Sequence, residues 1–346
     1  MKNTKKLIDM LIIALFVFLG ASCALRAVAL FNSFNTETMH FDNSATFTLS
    51  AIFTVAASLL FLSTLIIVPN GYKLAPDCSA PALFIPSGIV SVAFLFMASD
   101  MFMRAYTHRV PTASVAEQII KYIPLALAIF ALLSAASFFL NIILAKRTSS
   151  AKAILGMCTV VFLALYGAYL YFNKETHPTN SPNKIADQMA YFFSAIFFLF
   201  ETRIALSRDA WKPYIAFGFI SAFLTGYSAI PALIYYFGKG ISISDSITET
   251  VLTLTIFLYV LTKLLLMRRL PSDEQCKMAS AIERLASQRE AELEERRKAL
   301  RAGVYNNVET DSRDSTSSEN ATNENEAAEG QISFELDAPT DSLEKQ

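Results

Sequence analysis

Eight stretches of the chain contain no Asp, Glu, Lys or Arg, and most carry apolar side chains on every face rather than along one stripe. They are Met10–Leu25 (16 residues), Asn43–Tyr72 (30), Cys78–Ser99 (22), Tyr122–Ala145 (24), Ala153–Asn173 (21), Gln188–Phe200 (13), Pro213–Gly238 (26) and Thr250–Thr262 (13). A helix needs about 20 predominantly apolar residues to cross a hydrocarbon core of about 30 Å, so each run has room for one crossing. The longest is punctuated by Pro69-Asn70-Gly71 and still crosses once. The first run and the two 13-residue runs reach bilayer length only with their flanking charges at the interface. Transmembrane strands run about 9–11 residues with alternating polarity; the segments Phe61–Val68 and Ile129–Ile143 show no such alternation. The pattern therefore predicts an all-α fold, a polytopic transmembrane bundle over 1–270. Its eight spans fall near 7–30, 45–68, 81–103, 122–145, 153–172, 185–206, 213–237 and 246–267.

Beyond the bundle the pattern changes. Ser272 to Gln275 has the form of an N-cap box, and Glu292/Arg296 and Glu294/Lys298 stand at supportive i,i+4 spacing, so 271–303 reads as a charged cytosolic helix. Met278, Ile282 and Leu285 begin an apolar stripe that is too short for a coiled coil. Residues 304–346 hold eleven acids and two bases with few large apolar side chains, the composition of a disordered acidic tail. Ile332, Phe334 and Leu336 form a short apolar island there. The span count also permits a duplicated four-plus-four layout, although the halves share no convincing residue-level similarity.

Composition agrees with a membrane protein: 53% of residues are apolar, 17% are charged and mean hydropathy is +0.41, against about 25% charged in soluble domains. The net charge of −1 conceals a basic bundle and an acidic tail. With the N-terminus inside, twelve Lys and Arg fall in cytoplasmic segments and six in exterior ones. That bias places both termini in the cytoplasm of a bacterial-type plasma (inner) membrane. The segment holding Arg104, Arg109 and Lys121 runs against the rule. A competing reading makes the first span a cleaved signal peptide ending near Gly20-Ala21-Ser22-Cys23, but apolar sequence resumes beyond Arg26. None of the four cysteines lies in an exterior loop, and none shows zinc-like spacing.

The charges near the short spans are the most informative candidates. Asp187 and Glu249 lie seven residues outward of the centres of their spans, and Glu201 and Lys263 seven inward, each about 10 Å from the midplane of an untilted helix. Glu201 and Lys263 are thus expected to pair, and Arg26 is the cation available to Asp187 and Glu249. Asp100 and Arg104 form an i,i+4 pair. No Asp, Glu, His, Lys or Arg lies within about four residues of any span centre, which argues against proton-coupled transport. Gly218, Ala222, Thr225, Gly226 and Ala229 share one helix face, predicted to pack closely against neighbours. Pro231 is expected to kink its span, as is Pro86. His40, His108 and His177 fall in exterior segments near Glu37, Asp42 and Glu175 without metal-binding spacing.

No nucleophile elbow, phosphate loop or dinucleotide fingerprint occurs. The basic cytosolic loops are explained by topology, so nucleic acid is not an expected partner, and no cofactor or metal is implied. The expectation is a non-enzymatic sensor or accessory subunit in the lipid bilayer, docking a cytosolic protein through 272–346. The alternative is a transporter or channel for a neutral or amphipathic small solute.

Overall fold

The computed structural model describes residues 2–42, 44–68, 81–107, 115–143, 150–172, 181–206, 210–244, 246–267, 291 and 293–298. The chain divides into two units, residues 1–286 and 287–346. The first holds α1 (Lys2–Ser33), strands β1 (Phe34–Asn35) and β2 (His40–Phe41), α2 (Ala45–Leu62), α3 (Thr64–Ile67) and a 3₁₀ turn (Pro81–Leu83). It continues with α4 (Phe84–Thr107), α5 (Val115–Ile143), α6 (Ser150–Phe172), α7 (Pro182–Ala205), α8 (Trp211–Lys239) and α9 (Ile247–Met267). In the second unit the described residues, 291 and 293–298, are helical and exposed. Apart from these, the charged helix over 271–303 and the acidic tail over 304–346 lie outside the described residues.

Among the described residues, seven helical segments are long and apolar enough to cross a membrane: Lys6–Ser33, Ala45–Ile67, Phe84–Thr107, Tyr122–Ile143, Ala153–Phe172, Trp211–Lys239 and Ile247–Met267. They turn large apolar side chains outward, Ile66 at 85% exposure and Phe237 at 81% among them. A bundle built for water would cover such faces. Helix α7 has the length but not the mean hydropathy, because it carries Asn183, Lys184, Asp187 and Glu201.

Helices α4 to α9 pack in sequence order, and α9 returns to α4, closing a six-membered ring; α1 and α2 lie against α8. Aromatic rings fill the ring's middle. Phe94 meets Phe138 and Phe162 at 5.6 and 5.3 Å between centroids, Phe138 and Phe198 meet Tyr259 at 5.1 and 5.8 Å, and Tyr166 meets Tyr191 at 5.0 Å. Helix α8 is the most enclosed element, with 78% of its apolar window buried. The small face Gly218, Ala222, Thr225, Gly226 and Ala229 is wholly buried. A Cβ at Gly226 would sit 3.0 Å from Leu19 and 3.1 Å from Phe257, so this glycine is what lets α1 and α9 approach α8 together.

Local chemistry explains several details beyond the apolar pattern. Ser63 separates α2 from α3, and the Ser63 and Thr64 hydroxyls each donate at 2.6 Å to carbonyls three residues back, competing with the helical ladder. The fold is not purely α: β1 and β2 pair Phe34 with Phe41 in a short hairpin. The Asn35 side chain holds its turn by accepting from the Glu37 and Thr38 amides. Phe34 and Phe41 pack over Leu30, Ala232, Tyr235 and Ile243, closing the bundle end where α1 finishes. Pro86 needs correction as a kink. It lies in the first turn of α4, where the missing N–H removes no helical bond. Among the described residues, the prolines inside helices are Pro231 in α8 and Pro124 in α5, the latter missed from the sequence.

Replacing Gly226 by Val should destabilise the detergent-solubilised protein by about 1–3 kcal/mol, as overpacking of a tight core does. The same change at exposed Gly20, where an added Cβ meets nothing within 4 Å, should leave the thermal midpoint nearly unchanged.

Candidate functional site

Helix α7 explains its own low hydropathy. Asn183, Asp187, Tyr191, Ser194 and Glu201 recur at spacings that place them within an arc of about 80°. The first four are buried and Glu201 is partly so. Each meets a group on another helix or on the loop before α9. Asn183 Oδ1 accepts from Arg26 Nη2 of α1 at 2.8 Å. The Asp187 carboxylate accepts from the hydroxyls of Ser228 on α8 and of Ser244, the latter at 3.3 Å. The Tyr191 hydroxyl donates to the Glu249 carbonyl at 3.3 Å and lies 2.8 Å from the Thr253 hydroxyl. Ser194 and Ser221 share a hydroxyl contact of 2.8 Å. Glu201 accepts from Tyr259 at 2.9 Å and pairs with Lys263 at 2.8 Å. A polar seam thus runs the length of α7. In a bilayer, where burying apolar surface between helices gains nothing over lipid, such hydrogen bonds and close packing hold helices together.

The end of the seam nearest the hairpin concentrates charge. Arg26, Lys184, Asp187 and Glu249 are all buried there. Arg26 has a specific task that arises from Pro231. A proline has no N–H, so the Tyr227 carbonyl four residues earlier lacks its helical donor. Arg26 Nη1 donates to that carbonyl at 2.8 Å, and the guanidinium stands 4.5 Å from the centroid of the Tyr227 ring. One turn earlier on α1, Cys23 directs its thiol to the Gly226 carbonyl at 3.7 Å. Ser50 of α2 donates to the Ser22 carbonyl and meets the Tyr227 hydroxyl, both at 3.1 Å.

These contacts redistribute the sequence-derived partners. Glu201 and Lys263, matched by depth alone, do meet. Asp100 and Arg104 lie 3.2 Å apart, and Ser246 donates to Asp100 at 3.1 Å, tying α4 to the residue preceding α9. Arg26, Asp187 and Glu249 occupy one end of the bundle, but among the described residues Arg26 engages neutral groups and no carboxylate pairs with it. Lys184, read from the sequence as a loop cation, is 3% exposed; its position three residues before Asp187 was the available signal. Asn183, Tyr191, Tyr227, Ser244 and Thr253 were missed, because neutral polar groups carry no charge signal. His108 and His177 lie outside the described residues. His40 is exposed on β2 with its Nδ1 2.7 Å from the Thr38 carbonyl oxygen, and the described residues contain no group of three His, Cys, Asp or Glu side chains suited to a metal.

Comparison with known proteins finds no matching family model, no matching curated protein and no matching solved structure.

Arg26→Met should destabilise the bundle by about 2 kcal/mol, the scale of a hydrogen bond made by a charged group. Pro231→Ala supplies the N–H that the Tyr227 carbonyl lacks, so in a double-mutant cycle it should recover about 1 kcal/mol of that loss. Strict additivity in thermal unfolding would contradict the assigned role of Arg26.

Proposed function

We propose that this chain is a non-enzymatic, multi-span protein of a bacterial-type plasma membrane, a sensor or accessory subunit whose C-terminal extension docks a cytosolic partner. The supporting observation is how its interior polar groups are used. Those along α7 bond helix to helix, while aromatic rings occupy the middle of the ring. A carrier or channel needs polar groups that converge on a path, whereas here they cross-link. The chain from 272 to 346 then provides a soluble segment through which a change in the bundle is passed on.

In this reading α7 is a crossing, which makes eight and returns both termini to the cytoplasm. Its length of 24 residues corresponds to about 36 Å. Ile185, Met189 and Phe192 are exposed on the face opposite its polar stripe. Polar residues inward and apolar residues outward suit a lipid environment. The second reading, a transporter or channel for an amphipathic solute, draws on an open groove of about 530 Å³ between α4 and α9, lined by Phe84, Ile89, Val92, Phe96, Val251 and Thr255 among others. That groove is apolar and lies on the flank of the bundle.

Two measurements test the first reading. Reporters inserted at 173–180 and at 207–209 should report opposite compartments, and fusions at both termini should report the cytoplasm; one shared compartment on either side of α7 would remove it as a crossing. A chain ending at residue 271 should insert and keep its thermal midpoint, yet fail to complement a deletion strain. Full complementation by that truncated chain would eliminate the partner-docking role.

A further inference from the structure

The groove between α4 and α9 has a length and a bore that select its occupant. Its lining runs along α4 from Phe84 to Phe96, which is about 18 Å at helical rise. Spread over that length, its volume of about 530 Å³ leaves a cross-section of about 30 Å². A helix about 10 Å across fills about 80 Å², so a neighbouring span would seat only side chains there. An extended hydrocarbon chain about 5 Å wide fills about 20 Å² and fits along the whole length.

The chemistry of the walls agrees with the bore. Among the described lining residues Thr255 alone carries a hydroxyl, and it donates to the Leu252 carbonyl at 2.8 Å. The rest of the wall is aliphatic, aromatic or glycine. Gly88 keeps the floor open: a Cβ there would meet only the Ile142 side chain, at the ordinary distance of 3.7 Å. Val92 is 51% exposed and Phe96 65%, so the groove opens on the flank of the bundle. In a bilayer that flank faces acyl chains, and a gap left unfilled forfeits dispersion contacts along its walls.

One end of the groove is polar. One turn beyond Phe96, Asp100 accepts from Ser246 at 3.1 Å and pairs with Arg104 at 3.2 Å, bridging α4 and α9 where the lining ends. Both members of the ion pair are partly exposed. A zwitterionic headgroup complements such a pair, with its phosphate toward Arg104 and its ammonium toward Asp100. From Asp100 back to Phe84 is about 24 Å of helix, whereas half of a hydrocarbon core is about 15 Å. With C–C bonds of about 1.5 Å, an extended chain advances about 1.3 Å per carbon, so about 18 carbons reach Phe84.

We propose that this groove binds one long, unbranched acyl chain of a zwitterionic membrane phospholipid, its headgroup at the Asp100–Arg104 pair and its chain held extended past the middle of the bilayer. The site needs only that α4 and α9 cross the membrane and is independent of the docking role of residues 272–346. It makes the groove a lipid seat rather than a route for a solute.

The test uses the full chain in dimyristoyl phosphatidylcholine nanodiscs doped with phosphatidylcholine whose stearoyl chain carries a photoactivatable diazirine, either near the head or near the terminus. Labelled residues are mapped by mass spectrometry. Labelling in the groove should saturate, at Phe96 and Val251 with the head-proximal probe and at Phe84 and Ile85 with the terminal one. Unlabelled stearoyl lipid should compete about tenfold better than lauroyl lipid, whose shorter chain leaves part of the groove unfilled. Labelling of Ile13 and Val17, exposed on α1, should instead rise in proportion to probe. Gly88→Leu should fill the groove and abolish the saturable component. Val92→Trp, at a position already half exposed, should do the same and covers the case in which Gly88→Leu folds poorly. Groove labelling that rises in proportion to probe, ignores chain length or survives both substitutions identifies ordinary surrounding lipid and overturns the proposal. So does the reverse order of labelling along α4. An oxidative crosslink between two chains carrying Val92→Cys places a second copy in the groove and overturns it as well.

Discussion

A backbone carbonyl without a donor is tolerable in water and expensive away from it. Pro231 creates one at Tyr227, in the middle of the most enclosed helix of the bundle, and much of the nearby architecture follows from its repair. The repair comes from a side chain on another helix, so Arg26 draws α1 onto α8. Because that side chain is an arginine with several donors, it also recruits Asn183 and so the start of α7. Cys23 on the preceding turn of α1, and Ser50 on α2 through Tyr227, extend the same junction. Four helices are registered around one missing N–H. Lys184, Asp187 and Glu249 are buried at the same end.

The rest of the bundle follows the rule that lipid gives helices no reason to bury apolar surface against one another. Close approach and hydrogen bonding take over. Gly226 permits the approach of Leu19 and Phe257. Further down α7 the seam uses Tyr191 with Thr253, Ser194 with Ser221, and Glu201 with Tyr259 and Lys263. Individually such bonds contribute on the order of 1 kcal/mol in membranes, so it is their repetition along one helix that fixes its rotation. Asn183, Asp187, Tyr191 and Ser194 of α7 are buried against the neighbouring helices. The functional reading comes from the same observation: polar groups committed to holding helices together are not free to conduct a solute, and that shifts the weight toward a sensor or accessory role.

Charge also marks the limits of the seam. The Glu201–Lys263 pair is partly exposed rather than sealed, within reach of interfacial water for flexible side chains. The Arg26 end is closed instead by the aromatic hairpin of Phe34 and Phe41. The two ends of α7 therefore differ in kind. One holds a solvent-reachable ion pair, and the other holds a buried cation with unmet donors.

The sequence by itself determined the segments and their order, because a continuous apolar run of bilayer length has few other physical outcomes. It also determined which charges share a depth, since helical rise converts residue number into distance; Glu201 and Lys263 are matched on that basis. The hairpin escaped notice because its two-residue strands are too short to leave a periodic signal, and Pro124 because a proline in an apolar run looks alike at a helix start and in a helix interior. Depth says nothing about azimuth. Which face of each helix looks inward, and so whether Arg26 meets a carboxylate or a carbonyl, depends on how the helices are rotated against one another. Only the packed bundle decides that, because the rotation is set by long-range contacts such as Tyr227 with Arg26 and Gly226 with Leu19, whose partners stand some two hundred residues apart in the chain.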